Sequence, residues 1–166
     1  MPRELVLILD FGSQYTQLIA RRIRECKVYC EIHPGPLPLA EIERLNPSSI
    51  VLSGGPDSVY DEKGPKNAPG LFEIGVPILG ICYGQQLMAQ QLGGKVSPSS
   101  EREYGRADLR IEEPIGILSR FKRGEAIPVW MSHGDHLTAL PPGFVKLAES
   151  DNAPLAAMAN LERRMF

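Results

Sequence analysis

Val76-Pro77-Ile78-Leu79-Gly80-Ile81-Cys82-Tyr83-Gly84-Gln85-Gln86-Leu87-Met88 reads as a strand, a sharp turn and the start of a helix. Val76 to Ile81 is a short apolar run of strand length. Gly80 and Gly84 bracket Cys82, and Leu87, Met88 and Leu92 give the helix a buried face before Gly93-Gly94 closes it. A nucleophile raised on a strand-to-helix turn needs neighbours without side chains, because the backbone there is strained and packs closely. The thiol then lies at a helix N-terminus, where the dipole and free N–H groups favour a thiolate. The Tyr83 N–H is placed to bind an oxyanion formed on a carbonyl attacked by Cys82. A small core cysteine between helix-packing glycines is the plainer meaning of the same residues. The strand before and the helix after favour the nucleophile.

Upstream of this elbow, short apolar runs alternate with helical patterns. Leu5 to Leu9 is continuously apolar, as expected of a strand covered on both faces of a parallel sheet. It ends at Asp10-Phe11-Gly12-Ser13, where Ser13 is the expected N-cap of a helix carrying Tyr15, Leu18, Ile19, Ile23 and Cys26 at helical spacing. Val28 to His33 and Ser49 to Leu52 read as further strands, with a short helix over Leu39 to Leu45 between them. A loop rich in Gly, Pro and Asp runs from Ser53 to Pro69, and a short helix around Leu71 to Ile74 leads to the elbow strand. Strands separated by helices imply crossovers and a parallel sheet. Downstream, Arg106 to Ile111, Ala126 to Met131, Phe144 to Glu149 and Pro154 to Ala159 are strand-like pieces joined by turns. The expectation is an α/β fold: an open, largely parallel sheet with helices on both faces, plus an antiparallel extension in the same domain. Arg163 to Phe166 looks like the beginning of another strand.

Composition bounds the function. The chain has 166 residues, 43% hydrophobic and 23% charged, with a net charge of −2. That suits one globular domain and gives no electrostatic case for nucleic acid or a membrane surface as partner. No apolar run is long enough for a membrane span, and no signal peptide is visible. Three cysteines without framework spacing fit a reducing cytoplasm. Cys26 and Cys30 are separated by three residues rather than the two of a redox or zinc pair, so they are expected to be core or bystander thiols.

Ser53-Gly54-Gly55-Pro56-Asp57-Ser58 admits two chemistries. The Gly55 N–H could complete an oxyanion hole opposite Cys82, since neighbouring parallel strands bring their turns to one sheet edge. Alternatively, the loop could cradle phosphates in the manner of ATP pyrophosphatases, which would make the chain a nucleotide binder. Pro65 and Pro69 follow too closely for a helix to open there, and the oxyanion role is favoured. A plain structural turn is the remaining possibility. A cysteine hydrolase also needs an imidazole near sulfur. His33 ends a strand and reads as a packing residue, whereas His133 and His136 sit in Trp130-Met131-Ser132-His133-Gly134-Asp135-His136, read as a polar loop able to line a site.

Together, Asp10 to Tyr15, Ser53 to Pro56 with Ser58-Val59-Tyr60, Gly80 to Gln86 and Trp130 to Asp135 resemble the class I (triad-type) glutamine amidotransferase domains, and among them those of the GMP synthase family. The resemblance covers essentially residues 1–166 as one domain. It implies hydrolysis of glutamine through a thioester on Cys82, with ammonia passed to a synthase domain in cis or on a separate chain. By the same match, Gly55 and Tyr83 supply oxyanion N–H groups, and Gln86, Ser132, His133 and Asp135 lie around the glutamine. It implies no cofactor or metal in this domain, and ATP and Mg for the synthase (ATP pyrophosphatase) domain. The family's catalytic His and Glu follow in a His-Pro-Glu motif after the pair matched by Arg163-Arg164. That motif does not occur in this sequence, so the domain is expected to be incomplete at its C-terminal side and inactive alone, with the synthase and dimerisation domains absent. A glutaminase of another amidotransferase is the nearest alternative.

Overall fold

The computed structural model describes residues 4–166, with the side chains of residues 99–104, Ser132 and His133 outside the described set. The chain forms two compact units, Met1–Leu87 and Met88–Phe166.

The first unit is built on a parallel sheet of strand order β2-β1-β3-β4, where β1 is Leu5–Asp10, β2 Tyr29–Pro34, β3 Ser49–Leu52 and β4 Ile78–Gly80. The apolar run of β1 predicts cover on both faces, and Leu7, Ile8 and Leu9 are fully buried. Alternation divides them between the faces. Ile8 joins Ala20, Cys30 and Val51 in one core cluster, against which Ile19, Ile23 and Leu79 pack. Ala20, Ile19 and Ile23 belong to α1 (Thr16–Glu25), whose outward arginines Arg21 and Arg22 pair with Glu25 at 3.1 and 2.8 Å. Cys30 is thus a core thiol, as expected, and Cys26 is exposed. A second helix, α2 (Leu39–Leu45), ends at Asn46 in the left-handed region. Ser13 is not the N-cap. Tyr15 holds that position, and the Ser13 hydroxyl accepts the Tyr15 N–H at 3.0 Å, forming a turn before the helix.

The third helix, α3, spans Tyr83–Gln91 and stops where the glycines predict. Gly93 takes φ +95°, and the Gly94 N–H donates to the Ala89 carbonyl at 2.8 Å.

In the second unit an antiparallel sheet runs in the order β6-β5-β7-β8, with β5 Lys95–Ile111, β6 Ala126–Ala139, β7 Val145–Glu149 and β8 Ala157–Ala159. This is a sheet with its own pairing rather than added strands on the first. Two expectations change. The strand expected from Arg106 begins at Lys95, and Ser132–His136, read as a loop, lies within β6. Pairing overrides composition in both cases: Asp135 stands opposite Pro98 and His136 opposite Ser97, polar residues of low strand propensity held in a ladder. Near the C-terminus, Asn160 and Met165 exchange backbone hydrogen bonds of 2.8 and 3.0 Å. Among the described residues no helix is long and apolar enough to cross a membrane.

Candidate active site

Parallel strands deliver their C-terminal turns to one edge, and three of these turns meet in the first unit. Cys82 follows β4 with φ +50°, a conformation that costs an L-residue about 1–2 kcal/mol and that the surrounding packing must enforce. The enforcement is visible at the flanking glycines. A Cβ on Gly84 would stand 2.5 Å from the Leu52 carbonyl oxygen, and one on Gly80 2.6 Å from the Gln85 nitrogen. Neither contact can yield, since both are to backbone. The Ile81 N–H donates to Leu52 O at 2.9 Å and the Gly84 N–H to Ser53 O at 3.1 Å, fastening the turn to the end of β3.

The Ser53 loop lies against the elbow. A Cβ on Gly54 would be 3.5 Å from the Cys82 Cβ and 3.6 Å from the Ser13 hydroxyl oxygen. At Gly55 it would meet the Phe11 carbonyl oxygen at 2.4 Å, so only glycine lets these two turns approach so closely. After the loop no helix opens until a short 3-10 turn at Leu71–Glu73, so the helix terminus that phosphate binding would use is not formed.

Burial pushes the Cys82 thiol up from its ordinary value. The helix terminus alone predicts the opposite direction. The cause is desolvation of a half-buried sulfur, which favours the neutral thiol. Tyr83 is fully buried, its ring 5.6 Å from that of Phe11. Burial, followed by the carboxylates of Asp57 and Asp61, holds its phenol above the ordinary value, and the hydroxyl donates to Pro65 O at 2.7 Å. The side chain of Tyr83 therefore braces the long loop, leaving its N–H at the elbow for other work. Gln86, one turn along α3, is buried, and its N–H donates to Cys82 O at 3.0 Å.

The other sequence-predicted residues belong to elements outside these three turns. Asp135 is a half-buried residue of β6 in the second unit, and the side chains of Ser132 and His133 lie outside the described residues. His136, also in β6, has a buried Nδ1 with no partner among the described residues. His33 is bonded to Glu31 at 3.0 Å at the end of β2, the edge opposite β4, roughly 14 Å away at three strand spacings. Asp10 and Ser53, at the ends of the adjacent strands β1 and β3, stand within motifs of the sequence that give them no role of their own.

The model of the glutamine amidotransferase class-I family matches residues 7–166. GMP synthase (glutamine-hydrolyzing) of Nostoc sp. is 49% identical over the 166 residues, and that of Natranaerobius thermophilus 51%. The chain spans 30% and 32% of these two proteins, about a third of their length. A solved structure from Thermoplasma acidophilum, described as a candidate component of GMP synthase, superposes with a TM-score of 0.84 at 26% identity, covering 99% of this chain and 82% of that one. The strained cysteine elbow is thus found within a family match that runs almost the whole length, and the chain belongs to the class I glutamine amidotransferases.

Proposed function

We propose that the chain is the glutamine-hydrolysing part of a GMP synthase, and that its two units together make one amidotransferase domain. The carrying observation is Cys82 at φ +50° between β4 and α3, with the Gly54 backbone against it and Gly55 next in the chain. The Cys82 sulfur attacks the side-chain carboxamide carbon of glutamine, and the carbonyl oxygen becomes an oxyanion received by the Gly55 and Tyr83 N–H groups. Collapse of the tetrahedral intermediate breaks the C–N bond, and nitrogen leaves as ammonia once protonated. Water then cleaves the thioester, releasing glutamate and restoring the thiol. Gln86, Ser132, His133 and Asp135 hold the glutamine. The ammonia passes to an ATP- and Mg-dependent synthase, which aminates xanthosine monophosphate. A reducing cytoplasm suits its free thiols.

Because the resting sulfur is protonated, the first step needs a base. No His-Pro-Glu occurs within these residues, and His33 is committed to Glu31. The 166 residues alone are therefore expected to release ammonia slowly, by on the order of 10²–10⁴-fold relative to a site with a positioned imidazole. Added imidazole should raise the rate, and His136→Ala, outside the set assigned to the glutamine, should leave it unchanged. Loss of activity in His136→Ala, with no effect of imidazole, would place the base in β6. In the protein acting with its synthase, Cys82→Ala should abolish GMP formation from glutamine and spare formation from ammonium salts. Loss of both, or of neither, would sink the proposal.

A further inference from the structure

Ser53 and Asp10 are tied together next to the elbow in a way that the reaction above does not use. Ser53 is fully buried at the end of β3. Its N–H donates to Leu9 O at 3.0 Å, its carbonyl accepts the Gly84 N–H, and its hydroxyl accepts the Phe11 N–H at 2.9 Å. The hydroxyl donates to the Gly54 carbonyl oxygen at 2.8 Å and, at the longer distance of 3.4 Å, faces Asp10 Oδ1 as its second acceptor. The same carboxylate oxygen accepts the Gly12 N–H at 2.9 Å and the Thr16 hydroxyl at 2.8 Å. One carboxylate oxygen thus organises the turn after β1, and one hydroxyl joins that turn to the turn after β3.

The Gly54 carbonyl is the decisive atom. It shares a planar trans peptide with the Gly55 N–H, and the two groups point in opposite directions. Fixing Gly54 O on Ser53 therefore fixes the direction of the Gly55 N–H. A Gly-Gly peptide has no Cβ to resist rotation of that plane, so an added restraint is needed wherever its direction matters. We propose that Ser53, backed by Asp10, is the positioning residue that aims the Gly55 N–H at the oxyanion, so that the oxyanion hole is preorganised before substrate arrives. The proposal rests on the glutaminase reading of Cys82.

The test uses two reagents that differ in whether an oxyanion forms. Glutamate γ-semialdehyde adds to the Cys82 thiol through its carbonyl and so needs the hole. Iodoacetamide alkylates the same sulfur by direct displacement and does not. In Ser53→Ala, capture of the aldehyde and glutamine turnover should fall by about 10–10²-fold, as expected for a donor displaced by an ångström or so, while alkylation of Cys82 is unchanged. The turnover loss should appear in kcat rather than KM. Asp10→Asn keeps one acceptor oxygen and should behave closer to wild type than Asp10→Ala. Should Asp10→Ala fail to fold, Ser53→Ala and Asp10→Asn carry the same comparison. Equal slowing of both reagents, or no change in either, in a folded Ser53→Ala protein would overturn the clamp while the wild type still turns over glutamine. A wild type that neither captures the aldehyde nor hydrolyses glutamine would instead remove the glutaminase reading, and the clamp with it.

Discussion

A cysteine hydrolase is commonly pictured with its thiolate ready, yet the Cys82 sulfur is held by burial in the neutral form. Exposed Cys26 should consequently outrun Cys82 in iodoacetamide labelling near neutral pH, and the Cys82 rate should climb on the alkaline side. Mass-spectrometric mapping of labelled peptides over a pH series checks both, and faster labelling of Cys82 at neutrality would contradict the burial argument. The same group affects stability. Its folded value lies above its unfolded one, so the neutral thiol stabilises the fold at pH below the ordinary thiol range. That contribution fades as pH rises through the folded value. Cys82→Ser should flatten the alkaline decline in urea midpoint. The G-x-C-x-G spacing made the elbow legible from the sequence, because a sharp strand-to-helix turn needs glycine on both sides of its strained residue. The link between Ser53 and Asp10 was not legible. Serine and aspartate at strand ends are ordinary turn residues, and what distinguishes these two is a bond from Phe11 to a hydroxyl 42 residues away.

Among the elements, α3 sits on β3 and β4 with no slack. Gly84→Ala drives a methyl group to 2.5 Å from Leu52 O, which can only be relieved by lifting the helix. The expected cost is about 1–3 kcal/mol, read as a lower urea midpoint, with glutamine turnover falling further than stability because the elbow moves with the helix. Gly75→Ala is a useful contrast: unlike Gly84 it has positive φ, +82°, and nothing stands within 4 Å, so it tests backbone strain without the clash. The parallel half could be read from the sequence almost strand by strand, because each strand there is a short apolar run bounded by helix and turn signals. The antiparallel half was read only in part. Ser97 and Pro98 look like turn residues, and they are held extended by His136 and Asp135 of β6, partners that no local pattern reveals.

For the molecule as a whole, the lone tryptophan is a poor reporter. Trp130 lies on β6 at 68% exposure, so its native emission should already be near that of solvent and readily quenched by acrylamide. Unfolding should be followed by far-ultraviolet circular dichroism instead; a blue-shifted, protected tryptophan would mean that this face of β6 is covered in solution. The positive φ at Cys82 also bears on the stability of the entire fold. Glycine accepts that conformation without penalty, so Cys82→Gly should be more stable than Cys82→Ala by up to about 1 kcal/mol, as measured by urea denaturation. The backbone at this position thus prefers no side chain at all, and the thiol is carried there against the conformational preference of the chain.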